Sequence, residues 1–168
     1  MRSVTTLPSP VGRLTLASDG ESLIGLWLEG QKYFGAGLSG TEAEADLPVF
    51  RAAEVWLRAY FARAPLPPLP PLAPQGSFFR QAVWQLLLEI PYGTVTTYGA
   101  LAQKLRDRGI SAAAQAVGGA VGHNPISILI PCHRVVGSDG SLTGYAGGVA
   151  KKQLLLELEG VDMAGLYV

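Results

Sequence analysis

The chain has 168 residues, 48% of them apolar and 15% charged, with 13 Lys+Arg against 13 Asp+Glu. That length can bury one core or two small ones, and the composition excludes a disordered chain. A single cysteine excludes an internal disulfide and suits a reducing compartment, and one Cys with two His cannot fill a four-ligand N/S zinc site. Met1-Arg2-Ser3-Val4 opens no apolar core of signal-peptide length, and no segment approaches the roughly 20 apolar residues of a membrane span. The cytoplasm, with no membrane partner, is the expected location. The balanced charge leaves no global basic footprint, so any nucleic-acid affinity must come from a local patch. Up to Gln75 six basic residues face seven acidic ones, a net −1, and the remainder carries +1.

Val4–Leu7, Arg13–Ala17 and Leu23–Leu28 are short, rich in Val, Leu and Thr, and separated by Pro-Val-Gly and Asp-Gly-Glu turns. They read as a small antiparallel meander. From Leu47 to Phe61 the apolar residues Phe50, Ala53, Val55, Trp56, Leu57, Tyr60 and Phe61 recur near helical spacing. Six prolines within residues 63–76 forbid helix and favour an extended, semi-rigid connection. The division expected is a structural domain over 1–62, a linker over 63–76 and a second domain over 77–168. The fold class is α/β with two domains: a small antiparallel sheet plus helix, then a mostly helical domain containing a helix-turn-helix.

In that second part Phe79, Val83, Trp84, Leu87 and Ile90 make one helical face, ending at Pro91-Tyr92-Gly93. Thr97 can cap a second helix starting at Tyr98, with Leu101, Ala102 and Leu105 facing inward. A charged turn through Asp107-Arg108-Gly109 leads to a third helix, expected over Ser111 to Val121. Two short helices joined by a Gly-containing turn read as helix-turn-helix. The third is almost all Ala, Val and Gly around one polar residue, Gln115. Small side chains of this kind let a helix pack tightly on a neighbour, or sit in a narrow groove.

The run Ile128-Leu129-Ile130-Pro131-Cys132-His133-Arg134-Val135-Val136 holds the only cysteine and one of the two histidines. A thiol is a useful nucleophile as thiolate, and a nearby imidazole is the usual means of making one near neutral pH. The apolar residues before Pro131 read as a buried strand. In extended chain Cys132 and His133 would point to opposite faces, so a water or a third residue would have to connect them.

Pro131-Cys132-His133-Arg134-Val135, followed by Gly144-Tyr145-Ala146-Gly147-Gly148, resembles the active site of the O6-alkylguanine-DNA alkyltransferases. The resemblance extends from Phe78 to Gly160 through Phe-Arg-Gln-Ala-Val-Trp, Ile-Pro-Tyr-Gly-Thr-Val, Thr-Tyr-Gly-Ala-Leu-Ala, Ala-Val-Gly-Gly-Ala, His-Asn-Pro and Leu-Glu-Gly, in the family's order. It implies that a guanine rotated out of double-stranded DNA gives up its O6-alkyl group to Cys132, once per molecule and without a cofactor or metal. His133, through a water, would remove the thiol proton, and Glu159 would orient the imidazole and stabilise its cation. Asn124 would brace the turn between recognition helix and active site. Tyr98 would disfavour the stacked nucleotide and donate a proton towards guanine N3.

By the same resemblance Val135 and Cys132 offer carbonyls to the guanine amino group, while Tyr145, Ala146 and Gly147 form the loop that closes the pocket. Ala114, Gln115, Gly118 and Gly119 of the recognition helix, with Arg134, would contact DNA in the minor groove. A monomer is expected. Some family members carry zinc in the N-terminal domain, for which this chain lacks ligands. Two positions depart from the pattern. Gln115 stands where the family presents an arginine to the space vacated by the flipped base, and Ser127 where some members have a second proline. The alternative reading is a non-enzymatic lesion-binding protein like the alkyltransferase-like proteins, which typically replace the cysteine that this chain retains.

Overall fold

The computed structural model describes residues 1–168, which divide into two units: Met1–Gln75 with Pro125–Leu129, and Gly76–Asn124 with Ile130–Val168. The linear division at the linker assigned 125–129 to the second domain. Its backbone instead joins the first unit's sheet.

The meander forms as expected, with β1 (Ser3–Leu7), β2 (Leu14–Ser18) and β3 (Leu23–Leu28) paired antiparallel. The glycines at the two turns, Gly12 and Gly20, have φ of +97° and +111°, a region in which a Cβ would be strained. A short β4 (Ala43–Glu44) pairs parallel to β1, giving the order β3-β2-β1-β4. Two residues have no period to read, which is why pattern reasoning passes over this strand. Pro48 opens α1 (Pro48–Phe61), where a missing N–H costs nothing. That helix buries Val49, Phe50, Ala53, Trp56, Leu57 and Tyr60, and Val55, counted among its apolar positions, stays exposed.

Every residue of β3 is buried, so its outer edge cannot be left to water. Two segments cover it. Leu23 donates to Pro71 O at 2.8 Å and accepts from Ala73 N at 2.8 Å, which pins the proline-rich connection to the sheet. Leu26 donates to Pro125 O at 2.8 Å and accepts from Ser127 N at 2.9 Å. The residues leading to Cys132 are thus an extra piece of the sheet.

In the second unit Ser77 caps α2 (Phe78–Leu88) by accepting from Arg80 N at 3.2 Å. Thr97 caps α3 (Tyr98–Asp107) by accepting from Ala100 N at 3.0 Å, as its position before the apolar pattern predicts. The third helix, α4 (Ala114–Gly122), starts at Ala114 and not at Ser111, because Arg106 Nη1 holds the Ala112 carbonyl at 2.8 Å in the preceding loop. Trp84 of α2 donates Nε1–H to Ala120 O of α4 at 2.9 Å, a directional bond inside the apolar core made by Val83, Leu101, Leu105, Val117 and Val121. β5 (Thr96–Thr97) pairs parallel with β6 (Val135–Val136), placing the start of α3 beside the segment after the nucleophile. α5 (Val149–Leu158) closes the chain's order of elements.

The buried strand expected before Pro131 does not form. Leu129 N donates to Ser127 O at 2.8 Å across Ile128, whose φ is +71°. This is a γ-turn of the strained, positive-φ kind. Cys132 N donates to Ile130 O at 2.8 Å across Pro131, at φ −81° and ψ 64°, the relaxed inverse γ-turn. Three apolar residues in a row, Ile128–Ile130, fit a buried strand and a buried pair of tight turns equally well, and hydropathy does not separate them.

Candidate active site

Immediately after the second γ-turn, Cys132–Arg134 form one turn of 3-10 helix. The Cys-His pair is therefore not extended, and the opposite-face argument does not apply to it. Cys132 is 4% exposed and His133 fully buried. Asn124 donates from Nδ2 to Ile130 O at 2.8 Å and also hydrogen-bonds the Cys132 side chain. Its side chain spans the turn between residues 124 and 130.

The carboxylate of Glu159, at the C-terminal cap of α5, gathers the neighbouring groups. Its Oε2 lies 2.6 Å from His133 Nε2. Arg134 donates to it from Nε at 2.8 Å and from Nη2 at 3.2 Å, and Gly93 N donates to Oε1 at 3.1 Å. A carboxylate bonded to this Nε2 selects the tautomer with hydrogen there, so a proton arriving at the imidazole goes to Nδ1. Gly93 has φ +79°, and a Cβ there would come within 3.2 Å of Glu159 O, so the close approach calls for glycine.

Arg134 was expected to face DNA. It is buried, and its guanidinium also donates from Nη1 to Ile90 O at 2.7 Å and lies 5.6 Å from the centroid of the Tyr92 ring. All of these partners lie inside the protein, so Arg134 is paired with Glu159 and is not turned to an exposed face. Its distance in sequence from Glu159 hid this from a reading of the motif alone.

Lys152 of α5 escaped the sequence reading altogether. It is fully buried, and its Nζ donates to Val135 O at 2.5 Å. A signal existed, since Lys152 lies one helical turn before the buried Leu155 and Leu156 and so shares their face. Burial pulls its pKa down to about 8, although the nearby Cys132 acts in the opposite sense. Val135 O, expected to meet the guanine amino group, therefore already accepts one bond and would offer its second lone pair.

Burial dominates the thiol as well. It pushes the Cys132 pKa up, against the hydrogen bond from Asn124 and the charge of Lys152, which pull it down. The resting group is a thiol, not a standing thiolate. Burial also pushes the His133 pKa down, opposed by Glu159, so the imidazole is neutral and able to accept a proton.

Tyr98 occupies the first position of α3 with its side chain half-buried. Burial and the neighbouring Cys132 both raise its pKa, keeping a proton on its hydroxyl. A Cβ at Gly144 would approach its Oη to 3.2 Å, and one at Gly118 its ring to 3.8 Å. The hydroxyl thus faces the Gly-rich loop while the ring lies on α4. In that loop a Cβ at Gly147 would strike the Tyr145 ring at 2.6 Å, so glycine allows the buried Tyr145 to fold back over it, beside half-buried Ala146. On α4, Ala114, Gln115, Ala116 and Gly119 are exposed, and no side chain caps the helix start. The helix presents a nearly flat face of small residues with one amide upon it.

Residues 78–161 match the family model described as the DNA binding domain of 6-O-methylguanine DNA methyltransferase, and residues 3–71 match that of its ribonuclease-like domain. A Haemophilus influenzae methylated-DNA–protein-cysteine methyltransferase is 45% identical over 92% of this chain and 84% of its own length. The Mycobacterium bovis protein of the same name is 46% identical over 92% of this chain and 90% of its own. Among solved structures, Mycobacterium tuberculosis OGT in complex with DNA superposes with a TM-score of 0.82 at 44% identity, covering 94% of this chain and 92% of that one.

The buried ammonium yields a test that needs only the thiol. Removing the positive charge in Lys152→Met should slow alkylation of Cys132 by iodoacetamide at pH 7 by about tenfold, the equivalent of one pKa unit. Lys152 loses its proton as pH rises through about 8, so the ratio of wild-type to variant rate should fall above that pH. An unchanged rate at pH 7 would mean that the thiol does not feel the charge.

Proposed function

The chain belongs to the 6-O-methylguanine DNA methyltransferase family, and from that premise we propose that it repairs O6-alkylguanine in duplex DNA by irreversible transfer of the alkyl group to Cys132. The observation that carries this reading is the 2.6 Å contact between His133 and Glu159, one residue from a buried thiol at the end of two tight turns. The protein is a transferase that acts once per molecule.

The reaction divides among the residues as follows. The sulfur attacks the alkyl carbon, the S–C bond forms, and the C–O6 bond breaks with its electron pair passing to the guanine. The thiol proton goes by way of a water to Nδ1 of His133, whose cation Glu159 stabilises from the other nitrogen. The ionised carboxylate is itself held by Arg134, so it orients the imidazole without taking its proton. Lys152 supports the charge that develops on sulfur. Tyr98, protonated at neutral pH, donates towards N3 of the departing guanine, which leaves neutral. The product is a thioether with no low-energy route back to the thiol.

DNA binding falls to the exposed face of α4. Ala114, Gly118 and Gly119 carry side chains small enough for the helix backbone to enter a minor groove with Gln115 beside them, and the half-buried ring of Tyr98 would disfavour a stacked nucleotide. Tyr145, Ala146 and Gly147 border the space for the base, with carbonyls of Cys132 and Val135 for its amino group. The protein acts as a monomer. No helix is long and apolar enough to cross a membrane.

Mass spectrometry after mixing with an O6-methylguanine oligonucleotide should show one methyl group replacing the thiol hydrogen of Cys132. Cys132→Ala should gain no mass yet still bind the methylated duplex. Label on another residue, or methyl transfer by the variant, would end the assignment.

Gln115 supports a second expectation. A flipped guanine leaves a gap that costs a few kcal/mol in stacking and pairing. An arginine there offers more donors and a charge near the phosphates. Gln115→Arg should tighten duplex binding and speed repair of duplex substrate by about three- to tenfold, while the rate with O6-benzylguanine as a free base stays the same. Equal effects on both substrates would place Gln115 in folding or pocket shape.

A further inference from the structure

The γ-turn at Ile128 needs a physical cause. A β-branched residue at φ +71° is an outlier for the backbone, of a kind that persists only where the surroundings over-determine it. On the far side of the turn Asn124 holds Ile130 O. On the near side stands a contact that the reaction does not use. Ser127 donates its hydroxyl to Gln31 Oε1 at 3.2 Å, a link across 96 residues of sequence between two buried polar side chains. The same Gln31 oxygen accepts from Leu28 N at 2.7 Å, and Gln31 N donates to Leu28 O at 3.1 Å, closing the end of β3. The amide is therefore fixed by the sheet before Ser127 reaches it. Ser127 N is fixed as well, on Leu26 O at 2.9 Å.

We propose that Gln31 and Ser127 are a positioning pair for the nucleophile: the end of β3 holds Ser127 in the orientation that forces Ile128 into the left-handed region and so delivers Cys132 to Asn124 and the relay. The pair gives a function to Ser127, the position at which the family pattern places proline in some members. A proline there could not donate to Leu26 O, so serine and proline fix the turn by different means: serine by two hydrogen bonds, proline by its ring. If the hydroxyl is lost, Ile128 can relax to negative φ, Ile130 O moves off Asn124, and Asn124 no longer reaches the thiol.

This inference rests on the alkyl-transfer reading, and its experiment separates the two. The full chain, as wild type, Ser127→Ala, Gln31→Ala and the double variant, is assayed well below each protein's Tm. Single-turnover transfer from O6-benzylguanine and the pH profile of iodoacetamide alkylation are both recorded. Each single variant should slow benzyl transfer by about three- to tenfold, the effect of one neutral hydrogen bond felt at the reacting sulfur. Each should also move the thiol's pH midpoint upward, because the Asn124 bond that lowers it is weakened. The double variant should be no slower than the slower single one, since the two residues act through one contact. A midpoint that stays in place, with rates that fall only as the folded fraction falls, would reduce the pair to ordinary core packing and overturn the proposal. Wild type that accepts no benzyl group would defeat the transfer reading, and the iodoacetamide midpoints would still decide the role of the pair.

Discussion

One buried carboxylate is the point on which the contacts of the candidate site converge. Glu159 accepts from an imidazole, a guanidinium and a backbone amide. A carboxylate taken out of water resists ionisation unless a cation is bonded to it, and Arg134 supplies that cation through two nitrogens. The same contacts fix the His133 ring and its tautomer. Gly93, Arg134 and the cap of α5 are brought to one point by a single side chain, so the relay's geometry and its electrostatics are one problem with one solution.

The resting state follows from burial. With the thiol pKa raised and the imidazole pKa lowered, neither group carries charge before substrate arrives, although a fully buried ammonium stands nearby. A protein that reacts once gains from this arrangement. A standing thiolate would be spent on stray electrophiles and oxidants, whereas a buried thiol is protected from them until, on the proposed function, a substrate reaches it. Under the proposed function, alkylation consumes the one thiol of the chain, which makes loss of turnover a property of the site and not of an added step.

How much of this could be read beforehand depended on the range of the interactions. Thr97 and Tyr98 were legible because a cap and the helix it starts are adjacent, and the three-stranded meander because strand-forming composition and turns are local. Glu159 and Asn124 came from resemblance, since nothing in their spacing connects them to Cys132. Arg134 was misassigned to the groove because a basic residue beside a DNA-active cysteine looks exposed until its partner, 25 residues on, is known. Ile128–Ile130 was misread as strand because the backbone there follows contacts made by Leu26 and Gln31, about a hundred residues earlier, against the local preference of isoleucine. Lys152 differs from Lys151 only in helical phase, and a charge in an apolar stripe is easily passed over.

The account stands most directly on Glu159, and the pH dependence of single-turnover transfer in Glu159→Gln tests it. Gln keeps the shape but removes the charge, leaving His133 without a counterion when it takes the proton. The account predicts a rate lower by at least about tenfold at neutral pH, within the range of a general-base contribution, and partial recovery as pH rises and hydroxide takes over the proton. A folded Glu159→Gln protein with the wild-type rate and pH profile would contradict it, and would make the carboxylate a structural partner of Arg134 alone.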